Sequence, residues 1–170
     1  STGLVRKVCK YIQVRSDESG SMPTLAELGR AVGSSPSHLQ RVFKETTGIT
    51  PRQYAAAWRL DRFKAIIKDG QDISTALYEA GFGSSSRLYE NSEERMGMSP
   101  GAYRKGGKGM DIYHTVVACP MGRLLVAATD KGVCSVKLGS SDSKLKETLL
   151  AEFPSANHQP SGGHLAIWTA

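Results

Sequence analysis

The sequence has no cysteine framework. Its 170 residues include three cysteines, Cys9, Cys119 and Cys134, odd in number and too far apart for a CxxC pair. That argues against a disulfide scaffold and against a structural zinc site, and it places the chain in a reducing cytoplasm. Long apolar runs are missing too. The longest aliphatic stretch, Leu124 to Ala128, falls far short of the ~20 residues that span a bilayer, and no charged-then-apolar segment opens the chain. No membrane role is expected. With 39% hydrophobic and 22% charged residues, the chain is too apolar for a disordered polymer and too polar for a membrane protein.

What is present is an uneven charge. The net charge is +6. Residues 1–108 hold 17 basic and 11 acidic side chains, whereas residues 109–170 hold 5 of each. All the excess positive charge therefore lies in the first part, as in a polyanion-binding module followed by a neutral one. Between them, Arg104-Lys-Gly-Gly-Lys-Gly109 reads as a linker, because glycine breaks helices.

The basic part repeats itself. Gly48-Ile-Thr-Pro51-Arg-Gln-Tyr54 returns 49 residues on, from Gly48 to Gly97, as Gly97-Met-Ser-Pro100-Gly-Ala-Tyr103. At the same offset Leu28 meets Leu77, Ala31 meets Ala80, Ser35 meets Ser84, Ser37 meets Ser86 and Leu39 meets Leu88. Two copies of one helical unit follow. In the first, Thr24 and Glu27 form a capping box, Leu25, Leu28 and Val32 have helical spacing, and Gly33-Ser-Ser-Pro36 stops the helix. Ser35 caps the next helix, with Pro36 at its first position and Leu39, Val42 and Phe43 on its buried face. A short helix, a tight turn and a second short helix make a helix-turn-helix. In the second copy Asp72 caps, Ile73, Ala76, Leu77 and Ala80 face inward, and Gly81-Phe-Gly83 turns the chain. A helix over Leu4 to Val14 precedes the copies. A long helix from Pro51 to Ile67, with Tyr54, Trp58 and Ile66 as a buried stripe, joins them.

Leu25-x-x-Leu28, Ser37-His-Leu39-Gln-Arg41-x-Phe43-Lys44, Gly48-x-Thr-Pro51-x-x-Tyr54, Arg59-Leu60, Gly81-Phe82 and Gly97-x-Ser-Pro100-x-x-Tyr103-Arg104 together resemble the AraC-type DNA-binding domain, over roughly residues 4–105. The second copy departs from that pattern. Ser92-Glu93 stands where many members carry Phe-Lys, and Glu90 and Glu94 add negative charge. The second unit is therefore expected to hold DNA less tightly than the first.

The neutral part has a different period. Ile112–Val117, Gly122–Thr129 and Val133–Leu138 are strand-like, and Asp130-Lys-Gly132 between the last two signals a hairpin. Asp142 caps a helix carrying Leu145, Leu149 and Leu150, which ends before Pro154. The run Leu124 to Gly139, with Phe153-Pro-x-Ala156, resembles the amino-terminal domain of O6-alkylguanine-DNA methyltransferases. An AraC-type domain joined to this one is the arrangement of the Ada adaptive-response proteins. The expected fold is mainly α: two helix-turn-helix units joined by a long helix over 1–105, a Gly-rich linker over 106–110, a small incomplete α+β module of antiparallel sheet plus one helix over 111–157, and an irregular tail over 158–170.

The Ada resemblance implies a sequence-specific DNA-binding transcriptional regulator of the alkylation-damage response. Its partners would be double-stranded promoter DNA and RNA polymerase. The alternative is an O6-methylguanine-DNA methyltransferase activity in a longer parent, with the acceptor cysteine outside this chain. In the first unit Ser35, Ser37, His38, Gln40 and Arg41 are the candidate DNA contacts, with Lys44 and Arg52 as phosphate anchors. Gln40 pairs with adenine and Arg41 with guanine in bidentate geometry. The repeat offset adds Ser84, Ser86, Arg87 and Tyr89 in the second unit, and Arg104 follows them. The family's four-cysteine zinc domain and Pro-Cys-His-Arg acceptor motif do not occur in these residues, so no metal, cofactor or catalytic residue is expected here. Cys119-Pro120 has the wrong order for that motif. His114 could lie across a hairpin from Cys119, and Cys134 is expected inside a strand.

Overall fold

The computed structural model describes residues 2–19, 21–82 and 93–161, and they fall into two compact units, Ser1–Ser84 and Ser85–Ala170. The first is helical throughout: α1 (Thr2–Ser19), α2 (Leu25–Val32), α3 (Pro36–Thr47), α4 (Pro51–Lys68) and α5 (Ile73–Glu79). Its core gathers Val5, Val8 and Ile12 of α1, Leu28 of α2, Leu39 and Phe43 of α3 and Ala55 of α4. These are the apolar positions that recur at helical spacing in the sequence.

The helix starts obey local chemistry. Thr24 and Glu27 form the expected capping box, with the Glu27 N–H donating to Thr24 Oγ1 at 3.2 Å and the Thr24 N–H donating to Glu27 Oε2 at 2.7 Å. The Thr24 N–H and the Thr24 hydroxyl, both donating to Glu27 Oε2, hold the Glu27 carboxyl below its ordinary range. The Thr50 and Gln53 pair forms a second capping box ahead of α4, readable from Thr-Pro-Arg-Gln. Asp72 Oδ1 accepts from the N–H groups of Ser74 and Thr75 at 2.9 and 3.1 Å. Between α2 and α3, Gly33 adopts φ 67°, a left-handed conformation that a side chain disfavours.

Two expectations shift. α1 runs to Ser19, five residues beyond the expected end at Val14, and Arg62 holds this end: the guanidinium donates to the Ser16 carbonyl and pairs with Asp17 at 3.4 Å. On α4 the fully buried side chains are Ala55, Phe63 and Ile67, whereas Tyr54, Trp58 and Ile66 are half-buried. The Tyr54 hydroxyl accepts from Gln13 Nε2 at 3.0 Å, which explains why it stays near the surface. Two of the motif fragments meet: the Arg59 guanidinium lies 5.1 Å from the centre of the Phe82 ring, a cation–π contact, and Phe63 meets the same ring edge-on.

In the second unit residues 93–96 are helical and α6 (Pro100–Arg104) follows, capped by Ser99. Then come β1 (Asp111–Cys119), β2 (Gly122–Thr129), β3 (Gly132–Gly139), α7 (Asp142–Glu152) and β4 (Asn157–Pro160). The sheet order is β3-β2-β1-β4, antiparallel except for β1 with β4, which is parallel. The tail thus contributes an edge strand, and the sheet is mixed rather than wholly antiparallel. Asn-His-Gln-Pro has no apolar alternation, and an edge strand ending in proline gives no pattern to read. α7 lies on β2 and β3 and buries Leu145 and Leu149, while Leu150 is 50% exposed. Its N-cap is Ser141. Asp142 is its first residue, and its carboxylate is taken by a bidentate bond from Arg123, at 2.6 and 2.9 Å, which lowers its pKa.

The two compact units divide inside the second repeat and not at the Gly-rich segment. That segment is docked: the Ser155 N–H donates to the Gly106 carbonyl and the Asn157 N–H to the Met110 carbonyl, both at 2.9 Å, and Gly107 is buried. Backbone bonds of this kind leave no side-chain signature. Among the described residues no helix is long and apolar enough to cross a membrane.

Candidate nucleic-acid interface

α3 presents two faces. Leu39, Val42 and Phe43 are buried, and Ser37, His38, Gln40, Arg41 and Lys44 are exposed. The inward face fixes the helix on the core, with Phe43 meeting the Tyr54 ring edge-on at 5.9 Å. The outward face is therefore held at a set angle. Ser35 is the N-cap, its Oγ accepting from the His38 N–H at 3.3 Å. Its hydroxyl oxygen is engaged in starting the helix.

The structure brings most of the first-unit candidates together. Ser37, Arg41 and Lys44 follow one another at spacings of four and three on one stripe. Gln40 lies beside them and, with Arg52 in the first turn of α4, lines a cavity of about 590 Å³ over Met22, Leu25, Leu28 and Ala55. Arg104 belongs to the second unit, where it is exposed in the last turn of α6. Ser84, Ser86, Arg87 and Tyr89 lie outside the described residues, as does Glu90.

Arg41 has a neighbour that the motif does not announce. Its guanidinium donates to both oxygens of Glu45, at 3.2 and 3.3 Å, and its other amine lies 3.3 Å from His38 Nδ1. The i,i+4 spacing of Arg41 and Glu45 is the sequence signal for this pair. Both side chains of the pair are about 60% exposed, so the bridge contributes little and gives way to a competing acceptor. Arg41 is thus pre-oriented by two partners but not locked. We expect Arg41→Ala to cost about 1–3 kcal/mol on a preferred duplex and to relax one base pair of specificity. Glu45→Ala should instead tighten duplex binding several-fold, because it removes a negative charge from this face. Fluorescence anisotropy with matched duplexes measures both, and a Glu45→Ala variant that binds more weakly would count against this face as the interface.

The acidic end of the second repeat is also changed by its surroundings. Glu93 pairs with Lys131 at 2.7 Å, so its charge is compensated, and Glu94 is exposed. The cysteines are not grouped for chemistry. Cys134 is buried in β3, and Cys119 ends β1 opposite Gly122. His114 pairs across the hairpin with Ala127 rather than with Cys119. It sits five residues from Cys119 on the same strand, and an odd spacing points the two side chains to opposite faces. Among the described residues no group of three or more His, Cys, Asp or Glu is placed to hold a metal ion.

Comparison with known proteins finds two families, which meet at the Gly-rich segment. Residues 28–106 match the family model of a helix-turn-helix domain, and residues 112–158 match that of the ribonuclease-like domain of 6-O-methylguanine DNA methyltransferase. The chain is 40% identical over 138 residues to the regulatory protein Ada of Salmonella typhimurium, and 37% identical over 138 residues to the bifunctional transcriptional activator/DNA repair enzyme Ada of Escherichia coli. Each alignment covers 81% of this chain and 39% of the relative, so the chain spans about two-fifths of the relatives' length. Among solved structures, a transcriptional regulator with an AraC-type DNA-binding domain from Chromobacterium violaceum shares the fold, with a TM-score of 0.57 at 19% identity over 64% of this chain and 96% of that one.

Proposed function

The chain is Ada-like, an AraC-type helix-turn-helix domain followed by the amino-terminal domain of a 6-O-methylguanine DNA methyltransferase, and from that premise we propose that it binds promoter DNA sequence-specifically and regulates transcription. The observation that carries this reading is α3. Its start is capped, one face is buried by Leu39, Val42 and Phe43, and Ser37, His38, Gln40, Arg41 and Lys44 stand exposed on the other. A helix held this way enters the major groove and offers its side chains to base edges. Gln40 and Arg41 read adenine and guanine edges, while Lys44 and Arg52 grip phosphate and set the register. In this reading RNA polymerase is the partner through which DNA occupancy acts on transcription.

Selection from a random-sequence duplex library by the full chain tests the reading. A recovered consensus whose binding is lost with Arg41→Ala supports it. A pool that stays random after repeated rounds would end it.

The match to the methyltransferase family model covers residues 112–158. Methyl transfer needs an activated thiolate beside a pocket that holds a flipped base. Cys134 is buried, and His114, on the same strand as Cys119, pairs across the hairpin with Ala127. Incubation with O6-methylguanine duplex is expected to leave the intact mass unchanged. A stoichiometric gain of one methyl group would make this chain an acceptor in its own right.

A further inference from the structure

The cavity beside α3 has a volume of about 590 Å³, within the range of small-molecule sites, which are mostly apolar with a few convergent polar groups. Its walls follow that pattern. Leu28 and Ala55 belong to the core of the first unit, whereas Met22 and Leu25 are only half-buried against it. They leave apolar surface in contact with water, and an apolar ligand would cover it. The walls are also set in advance. Thr24 and Thr50 line the cavity, and their capping boxes fix the starts of α2 and α4.

The polar part of the wall is selective. The Thr24 and Thr50 hydroxyls are engaged by their capping partners: they donate to the Glu27 and Gln53 side chains at 2.8 and 3.0 Å, and each accepts its partner's backbone N–H at 3.2 Å. Gln40 and Arg52 remain, exposed and with no hydrogen bond or ion pair among the described residues. Arg52 is the one ionised side chain on the wall among those residues. α4 starts here with no acidic residue in its first turn, so its N-terminal dipole end adds positive potential. A guanidinium offers paired N–H donors that match a carboxylate in bidentate geometry, and the Gln40 amide can supply another. Apolar walls with one cation call for an apolar body with one negative charge.

We propose that this cavity binds a small apolar carboxylate, its acid group on Arg52 and Gln40 and its hydrocarbon over Met22, Leu25, Leu28 and Ala55, and that this ligand and a duplex exclude one another. The exclusion, unlike the binding, rests on the proposed function, in which the same Gln40 reads a base edge and the same Arg52 grips phosphate. The first helix-turn-helix unit thus carries its own small-molecule brake.

The test uses the full chain, with octanoate as the probe, well below micelle formation, and 1-octanol as its uncharged counterpart. Titration calorimetry is expected to show one saturable octanoate site, about tenfold tighter than octanol, because only the carboxylate makes charge-assisted bonds. Methyl NMR shifts should centre on Met22, Leu25, Leu28 and Ala55. Arg52→Ala should weaken octanoate to the level of octanol. Octanoate should also raise the apparent Kd of a duplex selected from a random-sequence library, whereas sodium acetate at the same ionic strength should not. Octanol bound as tightly as octanoate, an Arg52→Ala variant with undiminished octanoate affinity, shifts centred elsewhere, or no saturable binding would each overturn the site. Octanoate bound in the cavity with duplex affinity no lower than in acetate would overturn the exclusion. No duplex bound under any condition would end the DNA-binding reading and the exclusion with it, while calorimetry and the methyl shifts still decide the site.

Discussion

Raising monovalent salt from roughly 50 to 200 mM is expected to weaken duplex binding about 40-fold, if about three phosphates are neutralised. Each neutralised phosphate releases counterion, and log K falls by about 0.9 per phosphate per decade of salt. The proposed DNA-contacting cations are Lys44 and Arg52 in the first unit and Arg104 in the second, all exposed. The +6 charge excess of residues 1–108 would draw a duplex in from a distance. Lys44→Ala should flatten the slope by about one contact and weaken all sequences alike. Affinity that does not move across this salt range would remove the electrostatic half of the model, whatever the sequence preference.

The other large effect concerns stability. Phe43→Ala is expected to destabilise the Ser1–Ser84 unit by about 3–5 kcal/mol. Phe43 is 1% exposed and packs in one cluster with residues of α1, α2 and α4, so no rearrangement of a single helix fills the space it leaves. In a domain of this size each kcal/mol lowers the melting temperature by about 4–8 °C, and a shift of roughly 12–40 °C follows. DNA binding at 37 °C should fail with it, because α3 loses the face that holds it. Arg41→Ala should leave the melting temperature within a degree or two, since an exposed ion pair contributes so little. Thermal unfolding followed by circular dichroism separates the two variants. A Phe43→Ala shift of only a few degrees would mean that the core is more adaptable than its packing indicates.

The residues legible in the sequence are those whose cause is local. Thr24 with Glu27, Ser35 before Pro36, and Asp72 are caps whose partners lie within three residues, and each behaves as its spacing implies. Leu39, Val42 and Phe43 repeat at helical spacing, and that spacing alone separates the buried face of α3 from Ser37, His38, Gln40, Arg41 and Lys44. The 49-residue repeat and the Asp130-Lys-Gly132 hairpin are likewise properties of short windows.

Tertiary structure decided what depends on partners far apart in the chain. The end of α1 is set by Arg62, 46 residues from Ser16, and the pairing of Asp142 by Arg123. β4 exists because β1 offers it an open edge, not because Asn157–Pro160 favours a strand. Composition alone marks Arg104–Gly109 as a linker, yet backbone carbonyls and N–H groups, which every residue carries, dock it to the turn after α7. Glu93 looks like a free acid until Lys131 is found beside it, and Glu152 looks like a helix end until Tyr103, Ser135 and Lys137 converge on it. Sequence alone therefore determined the helical grammar of the exposed α3 face. Where the second repeat ends and what holds it there are questions of long-range contact, and no local pattern encodes them.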